Sequence, residues 1–191
     1  VVDAFIRYGK KMIDCFADRV KYWLTFNEQN VFHMPEAFRI SGYMKGEQTL
    51  RELYELQHHA MVAHMTLTEY LHQTKPGKLM GGMLAHQLIY PATCKPRDIF
   101  CAQQYDEFLN QNLLRVFAGQ GYSPAVMAVV EQEGFGDIYR ADDLALFART
   151  KNDFMAFSYY ASKTLDSDAI PEGTPVNYYL LHGEKNNPYL K

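Results

Sequence analysis

The sequence predicts an α/β fold built on a parallel sheet. Three observations carry this: apolar patterns at helical spacing, short runs rich in aromatic residues between them, and Gly or Pro turn signals at the joins. In order they read helix, strand, helix, strand, helices, strand. Helices between consecutive strands imply right-handed crossovers, and hence strands that run the same way.

Val2, Phe5, Ile6, Met12, Ile13, Phe16 and Val20 give an amphipathic helix over about 2–17. Lys21-Tyr22-Trp23-Leu24-Thr25-Phe26-Asn27 is short and aromatic, and predicts a buried strand over 21–27. A loop rich in Gly, Pro and Met runs from Gln29 to about Gln48. Leu50, Leu53, Tyr54, Met61, Met65, Thr68 and Leu71 mark a second, long helix. After the Pro76-Gly77 turn, 78–86 reads as a strand, with Gly81-Gly82 marking a bend or a close approach. Pro91 to Pro96 reads as a loop. Ile99, Ala102, Tyr105, Phe108, Leu109, Leu113 and Phe117 predict a third helix over 98–117, ended by Gly119, Gly121 and Pro124. Short helices follow at about 125–132 and 142–149. Asp153–Tyr160 is the third strand, and the rest to Lys191 reads as polar, turn-rich and irregular. Periodicity does not choose between a doubly wound sheet and a (β/α)8 barrel. A Rossmann fingerprint and a P-loop are both absent, and Gly134-Phe135-Gly136 follows no strand.

Composition narrows the function classes. The 191 residues are 48% apolar and 21% charged, with net charge -3, as in a soluble globular protein. No basic field points to nucleic acid, and no polybasic run or roughly 20-residue apolar span points to a membrane. Three cysteines, Cys15, Cys94 and Cys101, argue against a disulfide framework and fit a reducing, cytoplasmic setting. No signal peptide opens the chain, and the start at Val1-Val2-Asp3 reads as a cut within a longer protein. Twelve Phe and fourteen Tyr suit a large core, and also the lining of a sugar site.

The sharpest local signal is Thr25-Phe26-Asn27-Glu28. A carboxylate at the carboxyl end of a parallel strand sits where barrel active sites are built. A solvated Glu just past a strand end satisfies the same spacing. Neighbours on a flat strand point to opposite faces, so Asn27 and Glu28 serve one pocket only if the strand curls at its tip. Other candidates are weaker. His58, His59 and His64 lack the H-E-x-x-H spacing of a zinc protease and read as packing or surface histidines. Cys94 and Cys101 have no second pair with which to hold zinc. Glu131 and Glu133 read as a solvated helix end. His33 and Met34 either border a ligand or pack a loop. No metal or cofactor is expected.

Tyr22-Trp23-Leu24-Thr25-Phe26-Asn27-Glu28 resembles the T-[FL]-N-E-P signature of glycoside hydrolase family 1, and the flanks agree in family order. Phe16-Ala17-Asp18-Arg19-Val20-Lys21 resembles the end of the helix before the fourth barrel strand. His58-His59-Ala60-Met61-Val62-Ala63-His64 is similar to the histidine-bearing helix after it. Gly119-Gln120-Gly121-Tyr122-Ser123-Pro124 resembles the G-x-Y-P turn, and Asp153–Tyr160 resembles the sixth strand, D-F-[IL]-G-[LF]-N-Y-Y. Gln29 in place of Pro, and Ser158 in place of Asn, resemble the subgroup that hydrolyses 6-phospho-β-glucosides, with its N-E-x-N and F-S-Y-Y patterns.

The resemblance implies one partial catalytic domain over 1–191, spanning strands 4 to 6 of a (β/α)8 TIM barrel with their helices. It implies retaining hydrolysis of a small carbohydrate, with Glu28 as general acid/base. Asn27 would contact the 2-hydroxyl, Tyr160 would hold the nucleophile, and Ser158 occupies a pocket position of unsettled role. Retention uses two carboxyl groups roughly 5–5.5 Å apart. The nucleophile belongs to a T-E-N-G-type segment that is absent here, with 186–191 resembling the approach to it, so the chain alone is expected to be inactive. Unphosphorylated β-glucosides or β-galactosides as substrates, or a non-catalytic half-barrel, remain alternatives. A homo-oligomer is possible for the full-length protein.

Overall fold

The computed structural model describes residues 1–35, 38–42 and 48–187. Helix α1 (Val2–Phe16) leads into strand β1 (Tyr22–Leu24), and α2 (Leu50–Thr74) crosses to β2 (Leu79–Ala85). A longer crossover then contains β3 (Ile89–Pro91), α3 (Pro96–Asp106), α4 (Asn112–Phe117), α5 (Pro124–Gln132) and α6 (Ala141–Arg149) before β4 (Phe154–Ser158). The chain continues through β5 (Lys163–Leu165), α7 (Tyr179–Gly183) and β6 (Glu184–Lys185).

The main sheet has the order β1-β2-β4, and both pairings are parallel. Tyr22 lies opposite Leu79, and Gly81 opposite Phe154. The expected parallel strands are therefore present, close to their expected positions.

Helix α2 begins with a capping box. The Thr49 hydroxyl accepts from the Glu52 N–H at 3.2 Å, and the Glu52 carboxylate accepts from the Thr49 N–H at 2.8 Å. Its buried stripe of Tyr54, Met61 and Met65 packs with Leu84 of β2 and with Phe108, Leu113 and Phe117 of the crossover. A smaller cluster joins Ile13 and Ala17 to Leu67, Leu71 and Met80. The two β2 glycines are close approaches rather than a bend. A Cβ on Gly81 would stand 2.3 Å from the Phe154 ring, and one on Gly82 would stand 2.6 Å from the Phe117 ring.

Several expectations need correction. Strand β1 stops pairing at Leu24, not at Asn27, and 25–28 bend away. In this part of the barrel it lies at the sheet edge, with Tyr22 61% and Leu24 47% exposed. The helix predicted over 98–117 starts at Pro96, whose lost N–H costs nothing in the first turn, and contains a π-turn at Glu107–Gln111. The stretch between the second expected strand and the Pro91–Pro96 loop, and the tail expected to be irregular, share a second sheet, in which β5 pairs parallel to β3 and antiparallel to β6. Three-residue strands are too short to show a period. Parts of the 29–48 loop and most of 186–191 lie outside the described residues.

Gly82→Ala is expected to destabilise the protein by about 1–3 kcal/mol, because Phe117 is buried and cannot yield without repacking. Chemical denaturation of the two proteins checks this; an unchanged midpoint would mean that helix and strand are not packed this closely.

Candidate active site

Strands that run in parallel bring their carboxyl ends to one edge of the sheet, and Glu28 and Tyr160 both emerge there. The Tyr160 hydroxyl donates to Glu28 Oε1 at 2.6 Å across 132 residues of sequence. Tyr160 is 74% exposed, Asn27 is exposed, and Glu28 and Ser158 are half-buried. Ser158 is the last paired residue of β4, opposite Ala85, and its carbonyl accepts from the His86 N–H at 2.9 Å.

The chain does curl at the strand tip, bending over 25–28. Glu28 has φ 47 and ψ 44, and among the described residues it is the one non-glycine with positive φ. Such a backbone costs on the order of 1–3 kcal/mol and persists only where its surroundings over-determine it.

Those surroundings are buried polar groups. Thr25 Oγ1 lies 2.7 Å from His64 Nδ1, and His64 Nε2 lies 2.8 Å from the Asn152 amide nitrogen. A neutral imidazole suits both contacts, donating at one nitrogen and accepting at the other. Asn30 is fully buried and bonds to backbone groups of Ala85 and Leu109. His33 is buried as well, with its ring against the Gln57 amide and its carbonyl accepting from Asn177 Nδ2 at 3.0 Å. Tyr54 donates in turn to Asn177 at 3.2 Å. Gln29 is 1% exposed, and neither its amide nitrogen nor its oxygen has a partner among the described residues.

His33 and Met34 thus pack the loop. His58 and His64 are buried packing residues, with His58 Nδ1 3.1 Å from the Tyr122 hydroxyl, while His59 is exposed. Glu131 and Glu133 are exposed. Gln57 and Asn177 received no role from the sequence, and Asn30 entered only as the second Asn of the N-E-x-N pattern. A polar residue two places after a strand-end carboxylate is a faint signal, because solvated loops contain the same residues.

The sequence model of Glycosyl hydrolase family 1 matches residues 1–187. The chain is 34% identical to 6-phospho-beta-glucosidase AscB of Escherichia coli (strain K12), an alignment covering 100% of this chain and 40% of that protein. It is 32% identical to aryl-phospho-beta-D-glucosidase BglH of Bacillus subtilis (strain 168), again over 100% of this chain and 40% of the relative. Among solved structures, the GH1 beta-glucosidase of Exiguobacterium antarcticum B7 superposes with a TM-score of 0.80 at 20% identity, covering 100% of this chain and 41% of that one. The AHE enzyme of Alicyclobacillus herbarius gives 0.76 at 23% identity, over 96% and 39%. These similarities establish the fold as part of a TIM barrel, and the chain spans about 40% of the length of these curated relatives. Among the described residues no helix is long and apolar enough to cross a membrane.

Burial pushes the His33 ring down to about 3 and the His64 ring to about 4, from an ordinary 6.5. The unfolded chain therefore binds more protons than the folded one between about 6.5 and 4. Stability is lost as pH falls through that window. At pH 5 each ring should cost on the order of 2 kcal/mol. Unfolding midpoints at pH 7 and pH 5 should differ less in His64→Gln than in the parent; an undiminished difference would remove His64 from this account.

Proposed function

The chain belongs to glycosyl hydrolase family 1, and from that premise we propose that it forms one continuous part of a catalytic barrel that hydrolyses 6-phospho-β-glucosides with retention. Glu28 is the general acid/base: it protonates the leaving glycosidic oxygen, then takes a proton from the attacking water. Asn27 contacts the sugar's 2-hydroxyl, and Ser158 lines the pocket. A second carboxylate, supplied by a part of the barrel outside these three main-sheet strands, attacks the anomeric carbon.

One observation carries the reading. The Glu28 carboxylate stands on a strained turn at the carboxyl edge of the sheet, joined to a phenol from another strand's end at 2.6 Å. A solvated Glu past a strand end needs neither the left-handed backbone nor the cross-strand partner. In the complete barrel the second carboxylate stands near enough to compete for Tyr160, whose single proton then serves whichever carboxylate is charged. The phosphorylated substrate is supported by the names of the relatives above, and by Gln29 and Ser158, which stand where the family signatures quoted above have Pro and Asn.

Glu28→Gln in the full-length enzyme should slow single-turnover cleavage of alkyl 6-phosphoglucosides by about 10²–10⁴-fold, and of nitrophenyl 6-phosphoglucoside much less. Equal losses on both would take Glu28 out of the acid role. Residues 1–191 expressed alone should give no turnover and should self-associate. The edge strands carry exposed Tyr22, Leu24, Met155 and Phe157. A monodisperse active monomer by light scattering and assay would overturn this.

A further inference from the structure

We propose that Asn30, anchored by the π-turn between α3 and α4, is the positioning residue that holds Glu28 in place for proton transfer. The inference rests on the acid/base reading of Glu28. Asn30 follows Glu28 by two residues and is fully buried. Its Nδ2 donates to the Ala85 carbonyl at 2.9 Å and to the Leu109 carbonyl at 3.1 Å, and its Oδ1 accepts from the Ala85 N–H at 2.8 Å. Both amide hydrogens are therefore committed, and the side chain has one orientation available. Ala85 is the last paired residue of β2 and faces Ser158 in the ladder. One amide thus ties the loop carrying Glu28 to the same sheet edge from which Tyr160 emerges.

The Leu109 carbonyl lies in the π-turn at Glu107–Gln111. A carbonyl oxygen has two lone pairs, so it accepts from Asn30 whatever bond it makes along the helix. The next residue, Asn110, is also fully buried and reaches the loop after β2. Its Nδ2 donates to the Gln87 carbonyl at 2.7 Å, and also to Asp106 Oδ1 at 2.6 Å. Two successive residues of one turn therefore hold two successive strand-end loops. This accounts for the left-handed backbone at Glu28: the curl is held from the buried side, and the carboxylate is left projecting outward.

The test is a leaving-group series in the full-length enzyme, using aryl 6-phospho-β-glucosides whose phenols differ in acidity. A displaced acid hurts most where protonation matters most. Asn30→Ala should lose at least tenfold more single-turnover rate on the poorest leaving group than on the best, in the same sense as Glu28→Gln. Leu71→Ala, in the cluster between α1 and α2, is the control for lost stability alone and should show no such gradient. A uniform loss across the series in Asn30→Ala, or none, would overturn the proposal. If Glu28→Gln were itself uniform, the acid/base reading would fail, and this inference with it; a graded Glu28→Gln beside a uniform Asn30→Ala would sink the inference alone. Should Asn30→Ala not fold, Asn30→Ser carries the comparison. Failure of both to fold would assign Asn30 to the fold rather than to positioning.

Discussion

Parallel pairing is the constraint from which the rest follows. Two parallel neighbours cannot be joined by a tight turn, so each step between β1, β2 and β4 needs a crossover long enough to return to the starting edge. The crossovers bury one face of the sheet through α2 and through the run from α3 to α6. They also leave every strand's carboxyl end on one side. Glu28 and Tyr160, 132 residues apart in sequence, share a hydrogen bond because of that geometry.

The second layer of control is polar and buried. A strand that ended flat would point Asn27 and Glu28 in opposite directions. The chain instead turns to φ 47 at Glu28, at a cost that buried hydrogen bonds offset. Thr25 is tied to His64 on one side of the turn and Asn30 to Ala85 and Leu109 on the other. Removing one partner of such a bond leaves its mate buried and unsatisfied, typically a loss of about 1–3 kcal/mol. The same burial makes His33 and His64 poor bases, so the network that shapes the turn also ties its integrity to pH.

Much of the fold was legible because it depends on patterns that act locally. Long helices announce themselves by apolar spacing over many turns, as α2 does from Leu53 to Leu71. Strands β2 and β4 were legible from composition and turn signals. The short strands of the second sheet were not. Ile89–Pro91 and Lys163–Leu165 pair across more than 70 residues, and no three-residue segment carries a period.

For the site, the sequence by itself determined the chemistry available: a carboxylate and an amide just after one strand, and a hydroxyl and a phenol at the end of another, in the order shared by a known family. Residue identity and spacing along the chain suffice for that. Only the tertiary structure decided how these groups meet. It set the left-handed turn at Glu28, brought Tyr160 to 2.6 Å, and enlisted Asn30, Leu109 and Ala85 beneath them. Those arrangements depend on hydrogen bonds between groups that only folding brings together. A buried Asn and a solvated Asn are the same letter until the residues around them have packed.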